Sequence, residues 1–221
     1  MPELQTPSKG WLATKYHFWL YLLLAAILLQ LPFASVPFKW LESYFHEISH
    51  GLAALLTGGK IMQIELFANG AGLCTTRGGS RFLIAFMGYA GATLWGFLIY
   101  SLASANQRMA QALTVLLMLL LASSLIFWVR DVLTLIILLV LLGLFALKLK
   151  LGKMKYLQWL LQFTGIMVLL NSLQSPFYLL DGRGIGDGAN LANLTGIPEF
   201  IWVIVWFSLG LAAAYSLAKR N

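Results

Sequence analysis

His46-Glu47-Ile48-Ser49-His50 lies in the middle of WLESYFHEISHGLAALLT, residues Trp40 to Thr57, and this stretch ends on the helix-stopping pair Gly58-Gly59. Two histidines four positions apart share one face of a helix, so their imidazoles can converge on one zinc ion. The glutamate beside the first is then placed to take a proton from a water at that ion. The competing reading is a polar pair hydrogen-bonded inside a helix bundle. Either way the segment is too polar to face lipid and must be surrounded by other helices.

What surrounds it follows from composition. The 221 residues are 60% apolar and only 10% charged, with a mean hydropathy of +0.80, against roughly 25% charged residues in an average soluble domain. A water-soluble globule is excluded, and so is disorder, because fourteen Phe and eight Trp carry far too much apolar surface. The formal charge of +7 reflects basic residues flanking membrane helices and facing anionic headgroups, so nucleic acid is not an expected partner. The single Cys74 excludes an internal disulfide and a multi-cysteine metal cluster.

About 20 mainly apolar residues cross the hydrocarbon of a bilayer. Six stretches fit: Tyr16 to Val36, Phe82 to Ala103, Met109 to Val129, Val132 to Leu147, Tyr156 to about Phe177, and Ile197 to Ala218. The first has no small-residue cleavage site and reads as a retained helix. Lys60 to Arg77 alternates in IMQIELFA, turns at Asn69-Gly70 and continues in AGLCTTR, which predicts a two-residue-turn β-hairpin. Bare strand edges are not tolerated in lipid, so the hairpin should pack over the protein or lie at the interface. Asp181 to Thr195 reads as a Gly-rich loop leading into a short polar helix. The expected fold is therefore an all-α polytopic membrane protein of about six transmembrane helices plus the HExxH helix, with a short β-hairpin after it. Residues 1–221 form a single membrane-embedded domain in this reading. Lys148, Lys150, Lys153 and Lys155 argue for a cytoplasmic loop, but Lys9, Lys15, Lys60, Arg77 and Arg81 balance them when every segment spans, so charge assigns no orientation.

A catalytic zinc takes a third protein ligand and leaves one position open. Carboxylates are few. Asp131 is explained by an ion pair with its neighbour Arg130; Glu3, Glu65 and Glu199 are expected to be solvated; Glu42, one turn before His46, is either a supporting group or interfacial. Asp181 and Asp187 remain. His17, near the first membrane boundary, has no assigned role.

HEISHGLAAL on an apolar helix, followed far downstream by Asn171-Ser-Leu-Gln-Ser-Pro176-Phe-Tyr-Leu-Leu180-Asp181-Gly182, resembles the site-2 protease family of intramembrane zinc metallopeptidases. The hairpin, the Gly88-Tyr-Ala-Gly91 stretch and Gly186-Asp187-Gly188 look most like its compact, metallopeptidase-like bacterial and plant branch. The resemblance covers about Phe45 to Trp206. It implies His46 and His50 as zinc ligands, Glu47 as catalytic base, Asp181 as third ligand and Asn171 as an amide that orients substrate or oxyanion. In the compact branch the shared acidic position corresponds to Asp187, the alternative third ligand, and Asp181 is preferred here. The aspartate that is not a ligand would hold a ligand histidine.

The implied activity is hydrolysis of peptide bonds of membrane proteins within or near the bilayer. Ser43, Ser49, Asn171, Ser172, Gln174 and Ser175 are expected along a polar cavity admitting water, and Gly88, Gly91 and Gly96 at close helix contacts. The alternatives are a non-proteolytic membrane protein of the same fold that binds or stabilises membrane partners, and a small transporter; the inverted repeats that would favour the transporter are absent. Oligomeric state is not read from the sequence.

Overall fold

The structure, a computed structural model, describes residues 9–151 and 154–220. Glu3 and Lys153, invoked above, lie outside the described residues. Helix α1 runs Lys9–Leu29, α2 Val36–Leu56, α3 Arg81–Ala105, α4 Gln107–Phe127, α5 Val132–Leu151, α6 Met154–Gln174, α7 Asp187–Thr195 and α8 Glu199–Arg220. Strands β1 (Lys60–Leu66) and β2 (Gly72–Arg77) form an antiparallel hairpin between α2 and α3, and a 3-10 segment, Ser175–Asp181, continues α6.

By length and apolarity, four segments among the described residues can cross a membrane: Arg81–Ala105, Gln107–Phe127, Tyr156–Asp181 and Glu199–Arg220. His17–Leu29 and Val132–Leu147 are shorter apolar helices. Large apolar side chains face outward on these helices, among them Leu116, Leu119, Ile126 and Ile136, the pattern of a surface whose solvent is hydrocarbon. The mostly helical, membrane-type architecture expected from the sequence is thus present.

Three boundaries differ from the sequence reading. The first helix ends at Leu29 and not at Val36, because Pro32 lacks an N–H and disfavours helical geometry at Leu31. The chain turns over Gln30–Ser35, and α2 begins at Val36 with Pro37 in its first turn, where no N–H is missed. The fifth apolar stretch tightens into the 3-10 segment just before Pro176.

The hairpin turn is also longer than predicted. Phe67 N–H donates to Ala71 O at 2.9 Å and Gly70 N–H to Phe67 O at 3.0 Å, which encloses the three residues Ala68-Asn69-Gly70. Gly70 has a φ of +88°, the left-handed conformation that closes three-residue loops. The Asn69 side chain favours this form by accepting from Ala71 N–H at 3.0 Å.

The hairpin packs over the protein, as lipid exclusion requires. Ile61, Ile64 and Leu66 are buried, and the outer edge of β1 is closed by the connection from α4 to α5. Ile64 N–H donates to Trp128 O at 3.0 Å, and Leu66 N–H donates to Thr134 Oγ1 at 2.8 Å. Asp131 does not pair with Arg130. Its Oδ1 accepts from Thr134 N–H at 2.8 Å, an N-cap for α5, while the Arg130 guanidinium donates to the carbonyls of Val129 and Phe127.

Helices α2, α3 and α6 pack closely where glycines remove side chains, as expected of Gly91 and Gly96. A methyl group at Gly96 would fall 2.8 Å from the Leu169 backbone nitrogen, one at Gly165 would fall 2.6 Å from the Tyr100 nitrogen, and one at Gly91 would strike Ser49. Small residues let membrane helices approach in this way.

Candidate metal centre

The mixed apolar and polar sequence of α2 puts a polar stripe inside the bundle: Glu42, Glu47, Ser49 and His50 are all buried. Helical spacing brings the two histidines together, with 2.9 Å between His46 Nε2 and His50 Nε2. His50 Nδ1 lies 2.6 Å from the carbonyl oxygen of Ile84. A carbonyl only accepts, so Nδ1 carries a proton and Nε2 is the nitrogen turned to the centre.

The third group comes from α7. Asp187 Oδ2 lies 3.1 Å from His46 Nε2 and 3.2 Å from His50 Nε2. Burial works against the Asp187 charge, but the His50 and His46 rings beside it hold the carboxyl below the usual carboxylate range. Asp187 reaches this position because α7 is anchored. Leu191 is fully buried in a cluster with Ala85, Tyr89, Trp202 and Trp206, and Trp206 Nε1–H donates to Phe86 O at 3.0 Å. Gly186, with a φ of +109°, turns the chain into the first residue of α7.

Asp181 goes elsewhere. It ends the 3-10 segment, exposed, and is bound by Arg183 through the backbone N–H at 2.9 Å and through the guanidinium. The structure therefore brings Asp187, and not the preferred Asp181, to the HExxH histidines. Nor does Asp181 touch His46 or His50: its partner in the structure is Arg183.

The donor set fits a zinc ion. Ligand atoms about 2.0–2.1 Å from a tetrahedral centre are roughly 3.3 Å apart, close to the three separations here. Two imidazole nitrogens and a carboxylate oxygen are ordinary zinc donors, and His46, His50 and Asp187 offer them within 4.8 Å of one another. Space for an ion comes from α3: a methyl group at Gly88 would fall 2.6 Å from Nε2 of both histidines.

Glu47 lies against the hairpin. A methyl group at Gly72 would fall 2.6 Å from Glu47 Oε1, and the Cys74 backbone N–H faces the same carboxylate. The register explains this. Ile64 and Leu66 turn their N–H groups away from β2, so their cross-strand partners Cys74 and Gly72 turn theirs away from β1, onto the outer edge of the hairpin. That edge, with His46, Glu47, His50, Tyr89 and Asp187, borders a cavity of about 820 Å³.

The polar residues expected to line the cavity do not. Ser49 donates to Phe45 O at 2.6 Å, Asn171 Nδ2–H to Met167 O at 3.0 Å and Ser172 to Leu169 O at 2.9 Å, each bonding back along its own helix. Ser43 donates to Gly70 O, fastening the hairpin turn to α2, and Ser175 donates to Glu42 Oε1 at 3.0 Å. Glu42 is thus a buried group joining α2 to the 3-10 segment, not an interfacial one. Glu199, expected to be solvated, has Oε1 buried against Gly188.

Gly72 and Tyr89 were not anticipated at the site. The available signal for Tyr89 was the run of small residues Ala85, Gly88 and Ala92, which marks the face of α3 that approaches another helix. Gly72 was visible only as the first residue after the turn.

No curated protein and no solved structure matches the chain. A family model described as Peptidase M50B-like matches residues 19–217, from the first apolar helix to the last. With that span matched, the chain belongs to the site-2 protease family and is an integral, multi-pass membrane protein.

Proposed function

We propose that the protein is an intramembrane zinc endopeptidase that hydrolyses peptide bonds of membrane-protein substrates within or near the bilayer. The observation that carries this is the convergence of His46, His50 and Asp187 beside Glu47 on the wall of a cavity bordered by a strand edge. In this reading His46, His50 and Asp187 would hold the metal, with Asp187 in place of Asp181. A zinc ion bound there would supply Lewis acidity and lower the pKa of a water toward neutrality.

The remaining work belongs to the chain. Ile84 fixes the tautomer of His50 through Nδ1. Glu47 accepts the proton of the attacking water and passes it to the leaving amine, so the peptide C–N bond breaks without a charged amide leaving group. Gly72, through its backbone N–H and C=O, and Cys74, through its C=O, offer an edge to an extended substrate segment lying along β2, which keeps the substrate backbone hydrogen-bonded while it is unwound.

The test is metal content and cleavage together. Protein purified in detergent should carry about one zinc per chain and cut a model transmembrane substrate, and Glu47→Gln should keep the zinc while abolishing cleavage. Wild-type protein unable to bind zinc, or a Glu47→Gln variant as active as wild type, would overturn the reading.

A further inference from the structure

We propose that Tyr89 is a further catalytic residue, its phenol donating a hydrogen bond to the substrate carbonyl oxygen as that oxygen gains negative charge. The inference rests on the peptidase reading above. The duty is one that a zinc peptidase fills with a preorganised donor, and Asn171, which the sequence offered for it, bonds Met167 O and does not line the cavity.

Tyr89 has the position and the rigidity. It follows Gly88, the residue of α3 that faces both histidines, and it lines the cavity. Its ring stands edge-on to the His46 ring with centroids 4.3 Å apart and meets the Trp206 ring at 4.7 Å. Trp206 is itself fully buried and fixed to Phe86 O. A ring held on both sides loses little entropy when its hydroxyl engages a ligand. Among the described residues the hydroxyl has no hydrogen-bond partner, and it is not sealed inside protein. A phenol left without a partner beside a metal-type donor cluster is a donor available to substrate.

As a neutral donor the phenol adds no charge to a cavity wall that already holds Glu47 and Asp187. The hydrogen bond is weak to a neutral carbonyl and strengthens as the oxygen becomes anionic, so it acts on the barrier and not on substrate affinity.

The test is Tyr89→Phe, which retains the ring and its packing. With zinc-loaded protein in detergent and a cleavable transmembrane peptide, kcat should fall about 10²-fold or more with KM nearly unchanged. Binding of a phosphinic peptide, whose tetrahedral anionic group imitates the charged carbonyl, should weaken at least tenfold by calorimetry, with zinc content the same. Unchanged kcat, an equal loss in KM alone, loss of zinc, or unchanged phosphinate affinity would each overturn the assignment. If wild-type protein cleaves nothing, the peptidase reading falls by itself. The phosphinate comparison still judges Tyr89, and a wild-type protein that does not bind the phosphinate would overturn the assignment too.

Discussion

His50 Nδ1 and the Ile84 carbonyl oxygen lie 2.6 Å apart, and this contact from α3 determines which nitrogen of the ring meets Asp187. Helix α2 supplies both imidazoles, α3 orients one of them, and α7 brings the carboxylate. The HExxH motif thus becomes a three-donor centre only through elements more than thirty residues away in sequence.

Two aspartates six residues apart separate cleanly under this geometry. Asp187→Asn replaces one of three donors, and zinc content after dialysis against a chelator should fall at least tenfold relative to wild type. Asp181→Asn removes only the exposed contact with Arg183 and should leave zinc content unchanged. Metal analysis of both purified variants is the measurement, and loss of zinc from Asp181→Asn would reverse the assignment.

Gly72 has no room for a side chain on the Glu47 side. In Gly72→Ala the new methyl group must displace the Glu47 carboxylate or push β2 outward, since a contact near 2.6 Å is not sustainable. The three metal donors are untouched. Zinc content should remain at the wild-type level while cleavage falls about 10²-fold, the scale of a lost general base. A fully active Gly72→Ala would show that the hairpin does not position the base.

Much of this molecule was legible because its signals are local. Period, length and apolarity disclose the helices; alternation around Asn69-Gly70 discloses the hairpin; the spacing of His46 and His50 discloses their convergence. Which aspartate joins the histidines was not, because Asp181 and Asp187 both follow a span at a Gly-rich turn. Two contacts separate them: Arg183, only two residues on, captures the first, and the long-range Leu191 anchorage of α7 turns the second inward. The cavity wall misled for a different reason. Ser49, Asn171 and Ser172 look polar in sequence but satisfy themselves on their own helices, whereas the wall is built from backbone edges and from Tyr89, whose polarity is one atom on an apolar ring. Asp131 beside Arg130 reads as an ion pair, yet the helix start behind it offers a backbone N–H at better geometry.

Thr134 tests whether the hairpin depends on the α4 to α5 connection. Its Oγ1 accepts from Leu66 N–H at 2.8 Å and donates to Leu66 O at 3.4 Å, and both residues are buried. Thr134→Val keeps the volume and removes both contacts, leaving a strand-edge donor with neither protein nor water to bond. Stranding one buried polar group costs about 1–3 kcal/mol, and here the loss falls on the edge opposite the cavity. Thermal unfolding in detergent should therefore shift downward, and amide hydrogen exchange should quicken across Lys60–Leu66. Zinc content should stay level, since no metal donor touches the connection. Unaltered exchange in β1 would mean that Ile64 N–H on Trp128 O and the burial of Ile61, Ile64 and Leu66 hold the strand without Thr134.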